Sequence, residues 1–424
     1  MCKEGKWSLF NVLFSKNSKF YLYNTLSGGL CEVDESVYSL LCNIEKGHKH
    51  ISSIDNETIS YLKNAKYIVN DEEDAESIRK LRYLKLLKSF QKDRLSLVIA
   101  PTLFCNFACP YCYEKNLPNE IMSDETIDDL IKFIQSKEQD FKYLEICWHG
   151  GEPLSAISVI EKILKRIHNE VKLELKGHAM VSNGYLINNR FFSCFEKFPL
   201  QYIQITIDGN KISHNKNRIS KDGKDTYDQI VHNIDILTQR MSSLQIGLRM
   251  NVHKDNNMEF IPLYKELSNR WKGCKVNIYP AFVMENSGCR VPCFNSIEKT
   301  TFLYDTYKSI GKKYSMANIN IKTGDCTAIY DNSYVIDPHG DIFKCWVDVG
   351  VPDMKIGTLK EGVTNYSILE KYLLSSDKFS DTSCLKCKLI PICSGGCNKY
   401  RMGGDYKTKD ICPISIDLIP QFII

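Results

Sequence analysis

The stretch LSLVIAPTLFCNFACPYC, residues 95–112, runs from an apolar, strand-like segment into three cysteines at spacing C-x3-C-x2-C: Cys105, Cys109 and Cys112. Thiolates are the usual ligands of iron–sulfur clusters, and a cubane of four irons usually takes four of them. This motif supplies three. Cys109-Pro-Tyr-Cys112 also has the spacing of a redox dithiol, which likewise follows a strand. Cys105 favours the cluster, because a dithiol has no use for it.

Working outward, the chain has 424 residues, 43% of them hydrophobic, and a net charge of +4. The length suggests two or three domains, and the charge is too small to point to a nucleic-acid partner. No signal-peptide pattern opens the chain and no apolar run reaches membrane-spanning length, so a soluble cytoplasmic protein is expected. Eighteen cysteines stand out, seven of them after residue 325 and three in the quoted stretch. In a reducing compartment such clustering favours metal or redox chemistry over a disulfide framework.

The front of the chain reads as a small α+β unit, residues 1–72. KFYLYN (19–24) and LCEV (30–33) form a hairpin around Gly28 and Gly29, Asp34 caps a helix, a second helix covers 56–64, and YIV (67–69) closes as a strand. Residues 73–94 read as a charged helical connector. From residue 95, strands at 95–104, 143–148, 177–182, 202–207, 244–252 and 275–283 alternate with helical patterns such as Ile127, Leu130, Ile131 and Ile134. Alternation of this kind argues for parallel β/α units. Six units fall short of the eight of a closed barrel, so a partial (β/α)6 TIM barrel over 95–310 is expected. Beyond it, 311–424 is cysteine-rich and weakly periodic, with a hairpin in YVIDPHGDIFKC (334–345).

The cysteine motif, with Tyr111 as its aromatic residue, resembles the signature of the radical S-adenosylmethionine (SAM) superfamily. The resemblance accounts for the missing fourth thiolate: three cysteines hold three irons of a [4Fe–4S] cluster, and the amino and carboxylate groups of SAM take the fourth. It implies reductive cleavage of SAM to a 5′-deoxyadenosyl radical that abstracts hydrogen from a substrate. Other segments fall where the family needs them. HGGEP (149–153) ends the second strand, and its Gly150, Gly151, Glu152 and Pro153 match the family's SAM-binding turn, where glycine lets backbone approach a ligand closely. Ser182 and Asn183 end the third strand. QITIDGNKISHNKNR (204–218) matches a stretch supplying a hydroxyl and an arginine to SAM, by position Thr206 and Arg218, the arginine suited to a carboxylate. Read without the resemblance, GGEP is an ordinary turn, Thr206 a strand former and Arg218 a surface charge.

The last seven cysteines are Cys326, Cys345, Cys384, Cys387, Cys393, Cys397 and Cys412. Structural zinc is one reading, since C-x2-C pairs are common in zinc ribbons. The ordered pattern resembles the SPASM domain, the auxiliary-cluster extension of peptide- and protein-modifying radical SAM enzymes. It implies a distal cluster on Cys384, Cys387, Cys393 and Cys412 and a proximal one on Cys326, Cys345 and Cys397. The fourth proximal ligand is open between Cys289, Cys293 and a substrate thiolate, a soft donor that suits iron.

The small front unit resembles the winged-helix-like domains that bind the leader of a precursor peptide as an added strand. The resemblances together imply an anaerobic maturase of a ribosomally made peptide, with cross-linking, first of all a cysteine thioether, as its chemistry. They also imply a reductant such as flavodoxin or ferredoxin, and neither nucleic acid nor membrane as a partner. Oxidation of a Cys or Ser side chain, as in sulfatase maturases, is the alternative, although those enzymes place an aspartate where Trp346 follows Cys345 here. A multi-cluster electron carrier or a zinc-stabilised binding protein is the alternative from another class.

Overall fold

Apolar residues that alternate along a strand can bury both faces of a sheet only if each face finds its own cover. The N-terminal strands do this. In this computed structural model, which describes residues 5–114, 117–283, 290–312, 326–403 and 411–423, β1 (Lys6–Trp7) leads into an antiparallel meander of β2 (Asn11–Lys16), β3 (Lys19–Asn24) and β4 (Leu30–Val33), and β5 (Ile68–Val69) returns to pair with β1. Val12 lies opposite Tyr23 and Phe14 opposite Tyr21. This face packs on Leu389, Ile392, Ile414 and Ile419 near the C-terminus. Leu22, on the other face, packs with Leu41, Ile44, Ile54, Leu62 and Tyr67 of the two following helices and their flanks. Asp34 holds the N-cap position of helix Glu35–Glu45 without a side-chain bond, whereas Asp55 caps Asn56–Asn64 by accepting from the Thr58 N–H at 2.9 Å.

The chain divides into two compact units. One holds the described residues of Met1–Phe90, Asn295–Ile329 and Lys371–Ile424, the other those of Gln91–Phe294 and Tyr330–Glu370. The segments 1–72, 73–94, 95–310 and 311–424 read from the sequence cut across this division. The connector is the helix Glu73–Ser89, and its Leu81 joins Phe10, Phe379 and Ile390 in a third apolar cluster of the first unit.

The other unit is built on a ten-stranded mixed sheet. Six consecutive strands are parallel: β6 (Arg94–Ile99), β7 (Tyr143–Trp148), β8 (Glu174–Ser182), β9 (Tyr202–Thr206), β10 (Gln245–Val252) and β11 (Val276–Phe282). The intervening helices bury the predicted apolar stripes. Ser123 caps Asp124–Gln135, whose Ile127, Leu130, Ile131 and Ile134 are buried, and Ile230, Ile234 and Leu237 are the inner face of Tyr227–Arg240. The hairpin of 334–345 does not stand apart from this sheet, as the sequence boundary at 310 implied. Its first strand, β12 (Ser333–Ile336), joins β6 in parallel, and β13 (Asp341–Phe343), β14 (Gly357–Thr358) and β15 (Gly362–Val363) continue the sheet antiparallel. Among the described residues no helix is long and apolar enough to cross a membrane.

Candidate functional site

Parallel strands present their carboxyl ends together, and ligands bind there. Every motif read from the barrel sequence sits at such an end. The loop after β6 carries the three cysteines and is pinned on both sides, by a bridge between Thr102 and Ile121 and another between Phe107 and Ser220. The Ala108 N–H donates to Ile219 O at 2.8 Å, and the Lys221 N–H to Asn106 O at 2.9 Å.

The turn after β7 lies directly on this loop. A Cβ on Gly151 would run into the carbonyl oxygens of Phe104 and Leu103, and one on Gly150, at φ +105°, into Thr102 O. The two N–H groups that follow are already engaged, Gly151 with Thr102 O at 3.2 Å and Glu152 with Phe104 O at 2.8 Å. The glycines therefore serve a close backbone approach, and the surface approached is the cysteine loop itself. Glu152, 1% exposed, spends its carboxylate on three donors: it accepts from Leu154 N at 3.0 Å, Ser182 Oγ at 2.8 Å and Asn183 N at 2.7 Å. Asn183 Nδ2 in turn donates to Asn106 Oδ1 at 2.7 Å, inside the cysteine motif.

These ends enclose a cavity of about 390 Å³. Cys105, Cys109, Cys112 and Tyr111 line one side; Gly150, Gly151, Ser182, Asn183, Thr206 and Arg218 line the rest of the predicted site. Glu152 and Pro153 are buried behind it. Arg218 Nη1 donates to the Tyr111 hydroxyl at 3.3 Å, as does Asn251 Nδ2 at 3.2 Å, while that hydroxyl donates to Asp208. Arg218 Nε is buried without a partner, which leaves one donor of a planar cation for an anionic ligand. Burial pushes the Cys105 thiol up to about 12 and the Cys112 thiol up to about 11, and it raises Cys109 against the pull of Arg218. Three buried thiols of this kind become thiolates when a metal centre supplies positive charge, so the donor set fits a cluster.

Sequence reasoning missed much of the remaining lining: Tyr113, Glu114, His149, Gln204, Arg249 and Asn251, with Phe282, Val283 and Trp346. Strand alternation carries the missing signal. Gln204 is two residues before Thr206 on β9, and Arg249 and Asn251 are two apart on β10, with Arg249 opposite Thr206 in the register. His149 meets Tyr113 Oη at 3.0 Å through Nε2, and its ring lies 4.4 Å from that of Trp346. Burial, helped by Arg249, lowers His149 to about 3, so this imidazole is neutral, and its 3.6 Å approach to Glu114 is no ion pair.

Of the C-terminal cysteines, Cys345 and Cys293 belong to the barrel unit, and Cys326, Cys384, Cys387, Cys393, Cys397 and Cys412 to the other. Cys289 lies outside the described residues. Cys384 and Cys387 act electrostatically on Cys412, and Cys387 and Cys412 on Cys393, so Cys387 and Cys412 link the other two. Cys387 and Cys393 also pack on the core behind β2 and β3. Among the described residues no three His, Cys, Asp or Glu side chains converge as ligands of a single ion.

Residues 99–267 match the Radical SAM superfamily. Over 439 aligned residues, 91% of this chain and 88% of the relative, the chain is 25% identical to the radical SAM cyclopropyl synthase TigE of Paramaledivibacter caminithermalis. Among solved structures, native anSMEcpe with bound AdoMet and the Kp18Cys peptide superimposes with a TM-score of 0.59 at 20% identity, covering 78% of this chain and 96% of that one. Streptococcus suis SuiB bound to S-adenosylmethionine gives 0.56 at 17% identity, covering 97% and 99%.

Proposed function

We propose that this chain, which carries a radical SAM domain and resembles the peptide maturases of that superfamily, is an enzyme that installs cross-links in a ribosomally made precursor peptide. The cofactors of the domain are a [4Fe–4S] cluster and SAM, joined by auxiliary clusters in the SPASM maturases that the chain resembles. When bound, the reduced cluster and SAM supply hydrogen-atom abstraction through a 5′-deoxyadenosyl radical.

The observation that carries the proposal is the sharing of one cavity by the three thiols, the Thr206 hydroxyl and Arg218. In this reading Cys105, Cys109 and Cys112 hold the cluster. Arg218 offers its unpartnered Nε to the SAM carboxylate, and Thr206 offers its hydroxyl to the same ligand. Ser182 and Asn183 complete the wall, held by Glu152 from behind. Tyr111, tied to Asp208 and Asn251, keeps Arg218 in place. Phe282, Val283 and Trp346 give the cavity an apolar side that excludes water from a reactive radical. The C-terminal cysteines hold the auxiliary clusters in the two ligand sets given by the resemblance, and the front unit takes the leader of the precursor.

A cysteine thioether is the first bond type to test. Carbon–carbon or carbon–oxygen cross-links between side chains come next. The experiment is anaerobic coexpression with a candidate precursor, read by mass spectrometry, with a Cys105→Ala/Cys109→Ala/Cys112→Ala control. Loss of one hydrogen pair per modified site, absent from the control, supports the proposal. Thiol alkylation then separates sulfur from carbon linkage. No deoxyadenosine from reconstituted protein, SAM and dithionite overturns the enzyme reading.

A further inference from the structure

The segment around the last cysteines contains a buried arginine that touches sulfur. Arg401 has a side chain only 5% exposed, and each of its three nitrogens has one partner in the same neighbourhood. Nη2 donates to Cys384 Sγ at 3.3 Å, Nε to Gly395 O at 2.8 Å and Nη1 to Asp381 Oδ2 at 2.7 Å. The Gly395 N–H donates to Cys393 Sγ at 3.2 Å, and Leu389 N–H to Cys387 Sγ at 3.4 Å. Asp381 also caps the short helix Thr382–Leu385, accepting from Ser383 N at 2.9 Å and Cys384 N at 3.4 Å.

A guanidinium is donor-only and stays charged at any working pH. This one is removed from solvent, so its field is weakly screened. Surface arginines of this chain meet carboxylates in ordinary exposed pairs, whereas Arg401 is turned inward and gives one donor to a cluster-type ligand. Hydrogen bonds to thiolate sulfur and nearby positive charge both stabilise the more reduced, more negative state of an iron–sulfur cluster. Asp381 works in the other direction through its charge, and it meets Cys384 at the backbone N–H rather than at the sulfur.

We propose that Arg401 raises the reduction potential of the cluster held by Cys384, Cys387, Cys393 and Cys412, and that Asp381 limits the rise. The proposal rests on the reading that these four thiolates hold a [4Fe–4S] cluster. A raised potential would suit this cluster to take up the one electron that must leave when a substrate radical closes its new bond, the accompanying proton passing to solvent.

The opposite signs of the two residues make the test. The full chain is reconstituted with iron and sulfide in a Cys105→Ala/Cys109→Ala/Cys112→Ala background, and the auxiliary signals are followed by EPR during a potentiometric titration. The signal lost in Cys384→Ala identifies the cluster. In Arg401→Gln its ratio of reduced to oxidised cluster at fixed potential falls about tenfold, equivalent to a downward shift of about 59 mV for one electron. In Asp381→Asn the shift is upward. Unchanged midpoints with full iron content, or shifts of the same sign in both variants, overturn the proposal. If Arg401→Gln loses the cluster, Asp381→Asn decides alone, an upward shift supporting the proposal and no shift rejecting it. If Cys384→Ala loses neither iron nor signal, the ligand assignment itself falls, and the proposal with it, which the iron count distinguishes from a failure of tuning.

Discussion

The backbone N–H of Asn183 donates to Glu152 Oε2 at 2.7 Å, so the end of β8 is fastened to the turn that ends β7. Oε1 of the same carboxylate takes the Ser182 hydroxyl and the Leu154 N–H. A side chain that the sequence offers as a cofactor contact is thereby spent on holding two neighbouring segments in register.

Glu152→Gln replaces one acceptor oxygen by a donor facing N–H or O–H groups. A buried donor left without a partner costs about 1–3 kcal/mol. The expected result is an unfolding free energy lower by that amount, seen as a lower denaturant midpoint, together with weaker SAM binding as Ser182 and Asn183 move. An unchanged midpoint would show that the clasp contributes nothing to stability.

Gly151→Ala puts a methyl group against the carbonyls of Leu103 and Phe104. Backbone cannot yield there without displacing Cys105, one and two residues on. Iron content after reconstitution is expected to fall by the equivalent of one cluster while the helix content by circular dichroism is retained.

Tyr111→Phe removes the hydroxyl that Arg218 and Asn251 donate to and that Asp208 accepts from. Losing one net hydrogen bond to a charged group corresponds to roughly 1.5–3 kcal/mol. SAM affinity measured by equilibrium dialysis is expected to drop by an order of magnitude or more. Iron content is expected to stay at the wild-type level, because the three thiols are untouched.

Trp346→Ala opens the apolar side of the cavity, where the indole sits edge-on to the neutral His149 ring. An aromatic contact of this kind contributes roughly 0.5–1.5 kcal/mol, a factor of about two to ten in affinity. The expected change is in KM for the peptide and in the ratio of deoxyadenosine to product, with SAM affinity retained. A variant that loses SAM binding instead would assign Trp346 to the cofactor.

Iron removal is expected to loosen the C-terminal cysteine region before the barrel. Its helices Thr382–Leu385 and Asn398–Met402 have four and five residues, too few to persist without tertiary support, so bound metal supplies part of the folding free energy there. Hydrogen exchange in the chelated protein should accelerate over 381–403 and stay slow in Asp124–Gln135, which buries six side chains.

What the sequence determined by itself is local. The period-two and helical patterns place the six parallel strands and their helices, the spacing of Cys105, Cys109 and Cys112 marks a three-cysteine loop after the first of them, and Ser123 marks a helix start that the structure contains. Each of these depends on residues within a turn or a strand of one another. Tertiary structure decided the rest. Asp208 and Asn251 surround Tyr111 from 97 and 140 residues away, Leu389 and Ile414 cover the second face of β2 and β3, and β12 chooses the free edge of β6. Spacing along the chain carries no record of such contacts. They arise because a sheet with two apolar faces, an unpaired strand edge and a buried hydroxyl must each find a partner, and packing of the whole chain decides which residue provides it.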